Sequence, residues 1–180
     1  PPPSGEPYQR YLVKQAFLNS THAMDGCETC HKGDPKAGGK EAALLFHNAT
    51  AGRDLITRLG RRGKGLPARV IPLEALHIAS LGIDTLLGAI AYGAAQVAVV
   101  STGSDAPEYL LSLKREMGYA QQVLTALGYG EVHFRLIEAA DIKALEIAVW
   151  TLPAAAAAPP AATFNLANEK RTTLDFIFDH

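Results

Sequence analysis

The chain has 180 residues, with 17 Lys plus Arg against 18 Asp plus Glu, 48% hydrophobic residues and two cysteines. That length suits one folded domain with an appendage. The near-neutral balance excludes nucleic-acid binding driven mainly by charge, and two cysteines exclude a disulfide-stapled secreted scaffold. No run of about 20 apolar residues occurs, so no transmembrane segment is expected. The chain opens Pro1-Pro2-Pro3 and stops at His180 directly after an apolar run, which leads us to expect a piece of a longer protein.

In chain order, residues 1–41 form a loop-rich segment holding both cysteines, His22 and His31, with a short helical pattern around Tyr8–Leu18. A segment of that size buries little core by itself and commonly needs a metal, a cofactor or a larger body to pack on. Residues 42–153 read differently. Ala42-Ala43-Leu44-Leu45-Phe46 is an apolar run suited to a strand buried on both faces. A helical pattern follows through Leu55, Ile56 and Leu59 into the glycine-rich 60–65 stretch. Arg69–Leu73 predicts a second strand, with Pro72 expected to mark its end. Ile83–Tyr92 predicts a helix stopped by Gly93, and Gln96–Ser101 a third strand. Ala106–Leu127 predicts a long helix closed by Gly128, and Glu131–Ile137 a fourth strand at a sheet edge. Ile142–Leu152 predicts a helix ended by Pro153.

This alternation predicts an α/β fold: a small doubly wound parallel sheet of about four strands with helices on both faces, plus an irregular N-terminal segment. Residues 154–163 read as an Ala/Pro linker. Residues 164–180 predict a C-terminal helix, truncated at its end and capped by Asn165 or Asn168.

The sharpest motif is Cys27-Glu28-Thr29-Cys30-His31, the C-x-x-C-H pattern of c-type haem attachment. Two thiols three positions apart reach the two vinyl groups on one porphyrin edge, and the adjoining His31 supplies the proximal iron ligand. His22 or His47 is the candidate sixth ligand, and Met24 a weaker one. Other readings stay open. Cys27, Cys30, His31 and His22 supply the four ligands of a structural zinc site. A thioredoxin-type redox pair would need its C-x-x-C between a strand and a helix, whereas this motif precedes the first strand. An unoccupied C-x-x-C is the plainest alternative, and an iron–sulfur cluster in this chain lacks its four cysteines.

Other candidates carry less chemistry. Asn48-Ala49-Thr50-Ala51-Gly52 follows the first strand where a nucleotide phosphate would sit, but it is not G-x-G-x-x-G and reads better as a tight turn. Ser101-Thr102-Gly103-Ser104-Asp105 reads as a loop in which Ser104 or Asp105 caps the next helix. Arg58, Arg61, Arg62 and Lys64 form a basic cluster, either a solvated helix end or a docking site for an acidic partner. His77 and Ser80 lack a nucleophile elbow, and Glu74 lacks a carboxylate mate. Met117, Tyr119, Phe134 and Trp150 read as core or interface filling.

Two resemblances add to this reading. His22-Ala23-Met24-Asp25-Gly26, the C-x-x-C-H motif and Lys32-Gly33-Asp34-Pro35, within residues 7–41, resemble a haem-binding stretch of multihaem cytochromes c. Leu44-Leu45-Phe46-His47, the run from Gly63 to Glu74, Ser80–Asp84, Ala89–Val97 and Asn168–Asp175 resemble the α/β domain of large bacterial ferredoxin-type proteins with 4Fe-4S binding domains, over residues 42–180. More distantly, Gly82–Val100 is similar to the small iron–sulfur delta subunit of hydrogenase and heterodisulfide reductase complexes. The second resemblance implies an α/β module between segments that carry 4Fe-4S clusters, with those clusters in the parent chain outside this fragment. It also implies a redox partner protein or neighbouring cluster domains as partners. The two resemblances imply different compartments: periplasmic if haem c is attached, cytoplasmic if only the ferredoxin-type likeness holds. An electron-transfer module, carrier rather than catalyst, is the leading expectation. A structural or partner-docking domain without its own redox centre comes next. A nucleotide-binding enzyme with a pocket near Asn48, Ser101 and Glu138 comes last.

Overall fold

The computed structural model describes residues 41–153, 155 and 161–180. The helix expected at Tyr8–Leu18 and the motif residues Cys27, Cys30 and His31, with His22 and Met24, lie outside the described residues. Four strands form one parallel sheet: β1 (Ala43–Asn48), β2 (Val70–Ala75), β3 (Gln96–Ser101) and β4 (Phe134–Glu138), in the order β2-β1-β3-β4. The five α-helices among the described residues are α1 (Ala51–Arg62), α2 (Ile83–Ala91), α3 (Pro107–Ala126), α4 (Ile142–Trp150) and α5 (Lys170–Asp179), with a 3-10 turn at Ile78–Ser80.

The two central strands are the two with apolar runs rather than alternation, and every residue of both is buried. Helices cover both faces, so neither side chain parity reaches water. Leu44, Phe46, Val97 and Val99 point to one face and pack with Leu86, Ile90, Leu113 and Leu124 of α2 and α3. Ala43, Leu45, Ala98 and Val100 point to the other, against Leu55 and Leu59 of α1 and Leu145 and Val149 of α4. Each fully buried Leu contributes about 1.5–3 kcal/mol of transfer free energy, so these two layers dominate the stability. The fold is therefore the doubly wound sheet that the strand–helix alternation predicts.

Pro72 lies inside β2, opposite Leu45, instead of ending it. Because β2 is an edge strand with one neighbour, alternate backbone N–H positions face away from the ladder, and a residue lacking that donor fits there. Helices α2 and α3 both close on glycines in left-handed backbone, Gly93 at φ 96° and Gly128 at φ 97°. In each case the following residue returns a long bond, Ala94 N to Ala89 O and Tyr129 N to Leu124 O, both 3.0 Å. This is the Schellman closure that glycine makes without a Cβ penalty.

The C-terminal arm rejoins the body through Ala162 N–H, which donates to Ala91 O at 2.8 Å, and through Tyr92, whose hydroxyl donates to Phe164 O. Leu174 and Ile177 of α5 then pack onto the layer formed by α2. That contact explains why α2 is apolar almost all round: one side meets the sheet and the other meets the arm. Glu169 occupies the N-cap position of α5, so neither Asn165 nor Asn168 fills it.

Candidate functional site

A doubly wound sheet presents ligands at the carboxyl ends of its strands, where the strand order reverses. Here that point lies between β1 and β3, and it gathers His47, Asn48, the 101–105 loop and the 3-10 turn after β2. Several polar groups at this edge are engaged by the protein itself. The Asn48 carboxamide oxygen accepts from Gly52 N at 2.7 Å and from Thr50 N and Thr50 Oγ1 at 3.3 Å each. The donors that a phosphate would use at the start of α1 are therefore turned toward a side chain of β1. Thr50, the formal N-cap, makes no side-chain cap bond of its own.

Beyond β3, the Ser101 hydroxyl donates to Asp105 Oδ2 at 3.0 Å, and Thr102 and Ser104 hydroxyls meet at 2.9 Å. Ala106 is the N-cap of α3 and Pro107 its first residue, so the expected caps Ser104 and Asp105 do not occupy that position. Proline at the first helical position removes a donor that would otherwise need a partner, which lowers the demand for a side-chain cap. Glu138, at the end of β4, pairs with Lys114 at 2.7 Å. Asn48, Ser101 and Glu138 thus each meet a different partner within the chain.

The groove found at this edge lies instead between the 3-10 turn and the start of α3. It measures about 350 Å³ and is lined by His77, Ile78, Ala79, Ser80, Asp105 and Tyr109. Ile78 is 1% exposed and packs against both β1 and β3, so the chain's own turn covers the switch point. Ser80 Oγ donates to the His77 carbonyl at 2.7 Å, not to its ring. Glu74 is engaged by Arg53, whose guanidinium pKa is raised by that hydrogen-bonded carboxylate.

His47, the one described candidate for an axial ligand, is 6% exposed and has Nδ1 at 2.9 Å from the Asn48 carbonyl. A carbonyl only accepts, so Nδ1 carries the proton and Nε2 keeps the lone pair, the tautomer that a ligating imidazole uses. Its donor chemistry fits an iron ligand, and most of its side chain is buried at the end of β1. Among the described residues, no group of three or more His, Cys, Asp or Glu side chains is placed to hold a metal ion.

The basic cluster divides into different environments. Arg58 pairs with Asp54 one turn earlier at 2.9 Å, while Arg61 and Arg62 are exposed at the end of α1. Lys64 lies 5.9 Å from the Trp150 ring centroid, its backbone N–H donates to Glu146 at 2.7 Å, and Trp150 Nε1 donates to Gly65 O at 3.0 Å. The 63–65 loop is thereby fastened to α4. Of the four residues read as core or interface filling, Met117 and Phe134 lie in the core, while Trp150, 49% exposed, and Tyr119 lie on the surface. The period of α4 accounts for Trp150: Leu145 and Val149 mark its inner stripe, leaving Lys143, Ile147 and Trp150 on the outer one. No described helix is long and apolar enough to cross a membrane. No protein-family model and no curated protein matches the chain.

Proposed function

We propose that this chain is an electron-transfer module of a larger iron–sulfur or cytochrome redox protein, carrying one c-type haem on Cys27, Cys30 and His31. The observation that supports the reading most is the C-x-x-C-H motif in a segment too short to bury a core of its own. Cys27 and Cys30 hold the group covalently, His31 ligates it, and His22 or His47 serves as the sixth ligand. When bound, the haem supplies a one-electron couple whose potential is set by the axial ligand and its burial. The α/β domain supplies a scaffold and the surface that meets a partner. The self-satisfied carboxyl edge favours a scaffold over a nucleotide enzyme, since Asn48 occupies the donors that a phosphate would need. Intact-mass analysis of the chain made in a host that matures c-type haem tests the proposal. The expected result is a single covalent haem adduct that disappears in Cys27→Ser/Cys30→Ser. An unmodified mass from that host would favour the reading in which this is a docking domain without its own redox centre.

A further inference from the structure

We infer that the outer face of α4, with the adjoining end of α1, is a docking surface for an acidic protein whose carboxylates ring an apolar centre. The contacts that bind the 63–65 loop to Glu146 and Trp150 bring the two helix faces into one surface. At its middle stand Ile147, 55% exposed, and Trp150, three residues apart on α4 and so on the same side of the helix. Lys143 stands one turn before Ile147, Lys64 lies over the Trp150 ring, and exposed Arg61 and Arg62 end the helix that leads into the 63–65 loop. The carboxylates of these elements are engaged within them: Asp54 with Arg58, Asp141 in capping Ala144 N, and Glu146 on Lys64 N–H. No described carboxylate lies within ion-pairing distance of Arg61, Arg62 or Lys143.

An exposed tryptophan and isoleucine inside a cationic rim have the make-up of an interface core and rim. Apart from Glu146, turned to the Lys64 N–H, the charges of the rim are cationic, so complementarity selects carboxylates, and their field speeds encounter as well as fixing orientation. Nucleic acid would demand a far broader basic surface than four cations on a chain of near-neutral balance. That the acidic protein is a redox partner rests on the electron-transfer reading; the surface itself does not.

Trp150 is the chain's single tryptophan, so its fluorescence reports on this face alone. The test uses the full chain and a short synthetic peptide of glutamates flanking a central pair of leucines, with a glutamine-for-glutamate peptide as control. The expected result is a blue shift of Trp150 emission with the glutamate peptide only, and an affinity that falls at least about tenfold in Arg61→Glu/Arg62→Glu or in Lys143→Glu. These residues are exposed, so circular dichroism should report unchanged folding. Equal binding of both peptides, binding that leaves the emission unchanged, or no binding would overturn the proposal. So would an emission already shielded from iodide without any peptide, because the face would then be covered by the chain itself. A colourless chain that still binds the peptide keeps this surface and sinks only the haem.

Discussion

Replacing Asn48 by alanine should cost far more than replacing Thr50, although Thr50 is the residue immediately before α1. Asn48 is 7% exposed, and its carboxamide oxygen satisfies Gly52 N at 2.7 Å and, more weakly, Thr50 N and Oγ1. Its loss strands a buried helix-start donor as well as removing the bonds, which puts the cost near the upper part of the ~0.5–2 kcal/mol range for lost caps. Thr50→Ala removes one 3.3 Å hydroxyl contact on an exposed side chain and should cost less than about 0.5 kcal/mol. For a domain of this size, about 1.5 kcal/mol lowers Tm by roughly 3–6 °C. Urea unfolding followed by circular dichroism, with thermal scans beside it, measures both variants. Added phosphate should then raise Tm of Asn48→Ala more than that of the native chain, because the α1 donors become available to an anion. Equal costs for the two variants, or a larger one for Thr50→Ala, would refute the assignment of the cap.

Leu145→Ala, at the centre of the layer under α1 and α4, should cost about 2–5 kcal/mol in urea unfolding, whereas exposed Leu111→Ala should stay within about 0.5 kcal/mol. Similar costs for the pair would mean that the sheet is not covered on that face. Tyr92 adds a pH dependence. Burial raises its phenol pKa above the ordinary value, and the hydroxyl donates to Phe164 O. A raised folded-state pKa means that its stabilisation is complete below the unfolded value of about 10 and is lost as pH rises through the folded one. The stability gap between the native chain and Tyr92→Phe should therefore close in alkaline urea titrations, and a gap that persists or widens there would contradict the bond. Gly128→Ala should destabilise by about 1 kcal/mol or more, since φ 97° is costly for any residue with a Cβ. A neutral result in thermal unfolding would show that α3 closes differently.

Strand identity was legible because burial leaves a direct trace in residue type. β3 is Gln96–Ser101 on both readings, and β1 starts one residue later than expected, at Ala43, and extends through His47 and Asn48. Those two remain in the strand because β2 pairs with them at Glu74 and Ala75, a tertiary fact that local composition does not carry. Helix closures at Gly93 and Gly128 were legible for a similar reason: a left-handed position selects glycine. The starts at Ile83 and Ile142 were legible too, but the groups that cap helix starts were not. Asn48, Ala106 and Glu169 each lie where loop geometry, not the nearest polar side chain, decides which oxygen meets the first N–H groups. Pro72 was misread as a strand end because a proline signals an edge only once the strand order is known. Whether Trp150 fills core or surface was left open by composition, because its surroundings depend on how the 63–65 loop meets α4, more than eighty positions away in the chain. The candidate haem residues Cys27, Cys30, His31 and His22 were legible by spacing alone, and their geometry lies outside the described residues.

The central claim is covalent haem on residues 27–31, and the visible spectrum tests it most directly. The full chain, produced in a host with c-type haem maturation, would be extracted with acidic acetone and assayed as the pyridine haemochrome. A Soret band that stays with the protein, with the haemochrome of a thioether-linked haem, is the result the account predicts. A colourless protein from that host, or colour that the acetone removes, would contradict it and leave the α/β domain as a scaffold whose redox centres lie elsewhere.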